Sequence, residues 1–275
     1  MKSVRAKKYL GQHFLRDEDI AYRIAETMSG SPLPILEVGP GMGVLTKYLL
    51  RMGRQVKVAE IDTESVSYLK THYPSLEGDI IEGDFLQMDL SLIFDGESFA
   101  VIGNYPYNIS SQIFFKILEH KEYIPLCSGM LQKEVAERLA SPPGSKDYGI
   151  LSVFLQAWYD VEYLFTVGRE VFLPPPKVQS GVILLRRNSR KELGCDEKMF
   201  RRVVKTAFNQ RRKTMRNSLR PLLGTDYPDY ADPVFNKRPE QLSVEDFITL
   251  TLRLTPHILS QQSAETQGSK TCSDL

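Results

Sequence analysis

Pro34-Ile35-Leu36-Glu37-Val38-Gly39-Pro40-Gly41-Met42-Gly43 is the stretch on which the fold turns. A short apolar run that ends in three alternating glycines reads as a buried strand entering a tight turn, with a helix following over 43–52. Glycine permits positive φ and lets the main chain approach a ligand closely. In open parallel sheets, ligands bind at the carboxyl ends of strands where the strand order reverses. The spacing here is G-x-G-x-G with Val44 next. A dinucleotide fingerprint requires glycine at that following position to seat a pyrophosphate. Val44 therefore argues against a nicotinamide or flavin oxidoreductase.

Working outward, strand and helix signals alternate. Residues 17–28 read as a helix capped by Asp17, with Ile20, Ile24 and Met28 on one face. After the glycine turn come a second strand in VKVAEID, a helix near 63–72 and a third strand in DIIEGDF. FAVIGN is the fourth strand, followed by the turn NYPYN and a helix over 110–119. LCSGMLQ is the fifth, with a helix over 133–140, and GILSVFLQAWY reads as another helix. VEYLFTV and SGVILLRR are two final strands with no helix between them, which predicts an antiparallel edge pair. The pattern implies an α/β fold: a Rossmann-like sheet with helices on both faces and a small C-terminal helical domain. The expected domains are a basic arm over 1–16, a catalytic domain over 17–187, a helical domain over 188–259 and a disordered tail over 260–275. In the helical part, Phe200, Val203, Val204, Ala207 and Phe208 share one helix face, a second helix is expected through Met215 and Leu219, and a third over Ser243–Leu254.

Composition narrows the function classes. The 275 residues are 42% hydrophobic and 25% charged, enough for a substantial core. The three cysteines form neither a disulfide framework nor a metal pattern, and the four histidines show no metal spacing. No run approaches the length of a membrane helix and no export signal is read, so a cytoplasmic protein, with no membrane contact, is expected. The formal net charge of +1 conceals segregation: residues 1–16 carry +5, 17–185 carry −10, 186–220 carry +10 and 221–275 carry −4. Basic flanks on an acidic body suit contact with nucleic-acid phosphates. The candidates are Lys7 and Lys8 in the first flank and Arg211, Arg212, Lys213 and Arg216 in the second.

Three signals follow successive strands. Gly39 and Gly41 form the loop, Glu60 and Asp62 end the next strand where an acid binds ribose hydroxyls, and Asp84 ends the third where it could accept from an adenine amino group. Any one of them alone is a tight turn or a surface acid. In order, they suit an adenosine cofactor without pyrophosphate, S-adenosylmethionine. After the fourth strand, Asn104-Tyr105-Pro106-Tyr107-Asn108 places an amide at a strand end, and Pro106 offers no backbone donor. Two acceptors on an exocyclic amino group, the Asn104 oxygen and a neighbouring carbonyl, would draw a poor nucleophile toward tetrahedral geometry. Tyr107 can stack on the base, and Phe172 could supply the second face of the slot. Pro174-Pro175-Pro176 is read as a fixed loop and Trp158 as core.

These residues resemble the rRNA adenine N6-dimethyltransferases, and within them the branch acting on bacterial 16S rRNA. The matching pieces are Gly11-Gln12-His13-Phe14-Leu15, Glu37 to Gly43, Glu60-Ile61-Asp62, Gly83-Asp84-Phe85, Asn104 to Asn108 and Phe172 to Ser180. Gln210 to Leu219 and Arg238 to Ser243 look like the 16S branch. The resemblance implies cofactor contacts by His13, Leu15, Gly39, Gly41, Glu60, Asp84, Phe85 and Asn104, and base handling by Asn104, Pro106, Tyr107 and Phe172. It implies dimethylation of two adjacent adenines in a hairpin loop of 16S rRNA, within a small-subunit precursor, by a monomer with no metal. The alternatives are a resistance-type enzyme of 23S rRNA and an assembly factor whose binding outweighs its catalysis. His13 and Tyr105 depart from the family, which commonly has Asn and Leu there.

Overall fold

The computed structural model describes residues 4–270, with side chains through Gln261. In chain order the strands are β1 Phe14–Leu15, β2 Ile35–Val38, β3 Val56–Glu60, β4 Ile80–Glu82, β5 Ala100–Asn104, β6 Leu126–Gln132, β7 Tyr159–Val167, β8 Phe172–Leu173 and β9 Ser180–Arg187. The helices are α1 Glu18–Glu26, α2 Thr46–Leu50, α3 Thr63–His72, α4 Ser110–Glu119, α5 Lys133–Ala140, α6 Ile150–Gln156, α7 Glu197–Asn209, α8 Met215–Ser218, α9 Arg220–Leu223 and α10 Val244–Lys270.

Seven strands form one sheet in the order β4-β3-β2-β5-β6-β9-β7. The first five are parallel, and β9 runs antiparallel to both neighbours, giving the expected antiparallel pair at one edge. From β2 the chain steps to β3 on one side and later to β5 on the other, in register Val38↔Ala59 and Val38↔Gly103. The order reverses there, so the crevice above the ends of β2 and β5 is the place for a ligand. All four residues of β2 are buried, as a strand covered on both faces requires. Local chemistry sets the helix starts. Asp17 accepts from Ile20 N at 3.0 Å to begin α1, and Asp62 accepts from Glu64 N at 3.1 Å to begin α3.

The chain divides into two compact units. One comprises residues 1–140 and 158–188; the other comprises 141–157 and 189–275. This corrects the expected boundary, because α6 belongs with the helical unit. Its Phe154 meets Phe200 at 6.1 Å and nearby Tyr148 meets Phe208 at 6.5 Å between ring centroids, while Gly144 N donates to Glu240 O at 2.6 Å. Helical spacing marks α6 as a helix but does not say which apolar surface covers it. On α7 the predicted face, Phe200, Val203, Val204, Ala207 and Phe208, is buried, at about 1.5–3 kcal/mol for a large apolar side chain. The second expected helix is two short ones, α8 and α9, and Pro221 sits in the first turn of α9. Ser243 and Asp246 exchange backbone and side-chain bonds at 2.9 and 3.1 Å across the first turn of α10. That helix continues to Lys270 with Pro256 inside it, past both the expected end at 254 and the expected tail boundary at 260; beyond Pro256, residues 257–267 hold no further proline and no glycine. Residues 271–275 of the expected tail, and residues 1–3 of the arm, lie outside the described residues.

Candidate cofactor and target-base site

A cavity of about 280 Å³ opens above the carboxyl ends of β2, β3 and β5. Among its lining residues are His13, Leu15, Gly39, Gly41, Glu60, Asp84, Phe85, Asn104, Pro106 and Tyr107. The sequence thus brings ten of its named cofactor and target-base residues to one place.

The glycine turn is shaped by close approach. Gly41 has φ +56, and a Cβ there would come within 2.9 Å of the Phe14 ring. Its N–H donates to Glu60 Oε2 at 3.0 Å, while Asp62 N donates to Glu60 Oε1 at 2.9 Å. Glu60 is therefore fixed at the strand end with both oxygens oriented. Burial lifts its carboxyl above the ordinary range, against the pull of those backbone donors. Glu37, one strand over, is fully buried and accepts from Thr46 Oγ1 at 2.6 Å. Burial pushes its carboxyl up to about 8. Sequence reasoning used Glu37 only as part of the loop motif. The two signs that a group there would titrate abnormally are its place inside an apolar strand and the absence of a neighbouring cation in sequence.

Asn104 closes β5. Its Nδ2 donates to the main-chain oxygen of His13 at 3.0 Å. A carbonyl can only accept, so the amide nitrogen must be the atom on that side, and Oδ1 is left as an acceptor. His13 is itself held: its ring Nδ1 lies 2.7 Å from Pro174 O, and its ring sits 5.4 Å from that of Tyr107. Tyr107 is bonded through its hydroxyl to Ser180 Oγ, which fixes the ring's far end. Beneath the turn, Tyr105 is buried and donates to Ser128 O at 2.7 Å, with Cys127 Sγ at 3.3 Å. Gly103 and Gly129 make room for its ring: a Cβ at either would meet that ring at 2.9 and 2.5 Å respectively. The Tyr105 ring fills the space under the turn, and Asn104, Pro106 and Tyr107 line the cavity. Burial pushes the Cys127 thiol up to about 12, so it is a packing group.

Two expectations change. Phe172 does not line the cavity. It lies in β8, antiparallel to β1 with Leu15 opposite it, and is buried in the same apolar cluster as Leu15. Side chains alternate across a strand, so burying Phe172 exposes Leu173, at 53%. The second correction is Lys7. Its ammonium forms an ion pair with the buried carboxylate of Asp62 and lies 3.4 Å from Glu64, so it is not a free cation on a loose arm. Asp62, named beside Glu60 as a ribose acid, takes this other role.

The remaining basic candidates are displayed. Lys8, Arg212, Lys213 and Arg216 are exposed, and among the described residues none forms an ion pair with a carboxylate. Arg211 donates to Lys146 O, and Arg216 donates to Tyr230 O at 2.5 Å with its guanidinium 5.5 Å from the Tyr230 ring. Main-chain contacts of this kind orient the guanidinium without cancelling its charge. Among the described residues there is no cluster able to hold a metal ion, and no helix is long and apolar enough to cross a membrane.

Comparison with known proteins places the sequence and the fold in one family. The sequence profile of the family described as ribosomal RNA adenine dimethylase matches residues 3–255. A protein of Parabacteroides distasonis, named ribosomal RNA small subunit methyltransferase A, is 65% identical over 95% of this chain and 98% of its own length. The crystal structure of a dimethyladenosine transferase from Plasmodium falciparum superposes with a TM-score of 0.74 at 24% identity, over 89% of this chain and 98% of the other. That of the 23S rRNA methyltransferase ErmE superposes with a TM-score of 0.63 at 30% identity, over 88% of this chain and 99% of the other.

Proposed function

This chain belongs to the ribosomal RNA adenine dimethylase family, and from that premise we propose that it dimethylates N6 of two adjacent adenines in a hairpin loop of 16S rRNA. The methyl donor is S-adenosylmethionine. The substrate is the RNA within a precursor of the small ribosomal subunit, in the cytoplasm, and the enzyme acts as a monomer. The relative at 65% identity carries a small-subunit name, whereas the 23S enzyme stands at 30%, which favours the small-subunit reading.

The residues around the cavity fit this cofactor. Glu60 presents a carboxylate at the ribose position of the fold, held by two backbone donors. An added Cβ at Gly39 would meet no protein atom within 4 Å, so there is room for a ligand beside the main chain. Ile61, Phe85 and Leu86 supply apolar surface for a purine, with Asp84 beside them to accept from its amino group. When bound, the cofactor supplies an electrophilic methyl on sulfonium.

The observation that carries the reading is the Asn104 amide, whose nitrogen is engaged by His13 O and whose oxygen is thereby an acceptor. Adenine N6 is a poor nucleophile because its lone pair is conjugated with the ring. Asn104 Oδ1 and a neighbouring main-chain carbonyl accept its two hydrogens in the first transfer, and one of them accepts the remaining hydrogen in the second, favouring a pyramidal nitrogen with the lone pair free to attack; each transfer ends with loss of one N6 proton to solvent. Tyr107, fixed by Ser180 and flanked by His13, supplies a stacking face. The chain's contribution is positioning and preorganised dipoles. The target base must leave its stack to reach Asn104, and a loop lowers that cost relative to a duplex. The test is transfer of labelled methyl groups to small subunits lacking the modification, with mapping to single nucleotides. Four methyls on two neighbouring 16S adenines are expected. Label confined to 23S rRNA would replace this reading with the resistance-type one.

A further inference from the structure

Asp62 does more than begin α3. Capping needs one oxygen, and Oδ1 accepts from Glu64 N at 3.1 Å for that purpose. Yet its side chain has no exposed surface and is also gripped from a segment 50 to 55 positions earlier. Lys7 Nζ pairs with Oδ1, and Gln12 Nε2 donates to Oδ2 at 3.1 Å. Gln12 Oε1 in turn accepts from Lys7 N at 2.8 Å, which ties the two ends of the Lys7–Gln12 turn together. Gly11, at φ +66, makes the bend possible. The residues carried by this clasp are Tyr9, Leu10, Gly11 and Gln12, and each of them lines the cavity. The wall continues through His13, which Asn104 holds at the other end.

We propose that Asp62 is a positioning residue for cofactor binding: through Lys7 and Gln12 it fastens the Lys7–Gln12 turn as one wall of the cavity and so sets how long cofactor is retained. The proposal rests on the reading of this cavity as the S-adenosylmethionine site. Four transfers to one RNA need four cofactor exchanges, so a wall fastened at Asp62, beside its ties to Asn108 through Tyr9 O and to Asn104 through His13 O, is a natural control point. Burial tends to raise the Asp62 carboxyl, but the bonds from Lys7 and Gln12, with that from Glu64 N, outweigh it and hold it below the ordinary range. A buried carboxylate retained as an anion needs such partners.

The experiment measures binding and release of S-adenosylhomocysteine by the full chain and by the variants Asp62→Asn, Lys7→Met, Gln12→Ala and Asp62→Asn/Lys7→Met. Asparagine keeps the helix cap, so loss of fold is not the expected result. Each of the Asp62 and Lys7 variants should weaken binding about tenfold, as expected on losing a charge-assisted bond, through faster release. Gln12→Ala should do so to a smaller degree. The double variant should bind no worse than the weaker single one, because both remove the same clasp. KM for S-adenosylmethionine should rise while kcat stays constant or rises. Melting of the cofactor-free Asp62→Asn, Gln12→Ala and double variants should shift little, whereas Lys7→Met leaves the buried Asp62 carboxylate without its cation and should melt lower; the salt dependence of RNA binding by Lys7→Met should equal that of the wild type. Affinities within twofold of wild type, multiplying single effects, a fall in melting temperature of Asp62→Asn and the double variant that tracks their loss of affinity, or a reduced salt slope for Lys7→Met would each overturn the clasp. If the wild-type chain itself fails to bind S-adenosylhomocysteine, the reading of the cavity fails instead.

Discussion

Lys7 and Arg212 come from two basic stretches that look alike in sequence, one carrying +5 and the other +10. In the fold they differ. Lys7 is paired with a buried carboxylate beside the cavity, whereas Arg212 is exposed and, among the described residues, pairs with no acid. The contrast extends to their surroundings. Around the cavity, Glu60, Asn104, Tyr107 and Asp62 each have a defined hydrogen-bond partner. On the 186–220 stretch, cations such as Arg202, Lys205, Arg212 and Lys213 are held out to solvent. The first region is built for geometry and the second for charge. Chemistry and RNA affinity should therefore be separable by mutation.

The largest effect should come from Asn104→Ala. It removes the acceptor for N6 and the bond to His13 O, and a kcat loss of about 10²–10³ is expected, on the scale of removing one preorganised polar group from an active site. RNA affinity should stay within about twofold, since the amide carries no charge for phosphate. Rates on undermethylated small subunits and a parallel binding curve check both halves. Equal activity of variant and wild type would remove Asn104 from the chemistry.

The converse variant neutralises Arg211, Arg212 and Lys213 together. The plot of log affinity against log salt should flatten by about 2, at roughly 0.7 per phosphate contact on single-stranded RNA. Affinity at moderate salt should fall about 10–100-fold, with kcat at saturating RNA preserved. An unchanged slope would mean that these cations only face solvent. Lys8→Ala, one exposed cation in the N-terminal stretch, should change the slope by about 0.7 at most.

How far the sequence revealed each region follows from the range of the interactions involved. The cavity was legible because its parts are local: a glycine turn, an acid at a strand end and an amide before proline each announce themselves within a few residues. The α7 face was legible for the same reason, since its period of 3.6 is carried by Phe200, Val203, Val204, Ala207 and Phe208 alone. What stayed hidden depends on distant partners. Lys7 reads as one more cation until Asp62 is placed next to it, 55 positions away. Phe172 reads as a stacking aromatic until β8 pairs with β1 and turns it into the core. The membership of α6 in the helical unit is a matter of which surface covers it, and periodicity is silent on that.

A pH titration tests the buried side of the comparison. Glu37 has its carboxyl raised by burial from the ordinary 4.5 to about 8. Between those values the folded state holds a proton that the unfolded state has lost. Stability therefore falls as pH rises through this window, with a limiting slope of about 1.4 kcal/mol per unit for one group. Glu37→Gln cannot ionise. The decline in stability of the cofactor-free protein between pH 5 and 8 should be shallower in the variant than in the wild type, as read by denaturant melts. Parallel curves would show that Glu37 ionises normally in the fold.

The smallest effect should come from Tyr105→Phe. Tyr105 donates to Ser128 O, deep beneath the Asn104 turn, and its ring packs edge-on to Phe114 at 5.6 Å. Removing the hydroxyl keeps the ring and its contacts but leaves a buried carbonyl without that donor, at a cost of about 1–3 kcal/mol. Two outcomes discriminate. If the hydroxyl only stabilises the fold, the melt shifts and kcat does not. If it also sets the height of the turn, kcat falls with Asn104 still present, while KM for S-adenosylmethionine stays constant. The second result is expected, because Tyr105 is chain neighbour to both Asn104 and Pro106 and its backbone N–H is already fixed to Met130 O at 2.9 Å. With both ends of one residue anchored to β6, a loosened hydroxyl can relax only through the turn that presents the target-base acceptor.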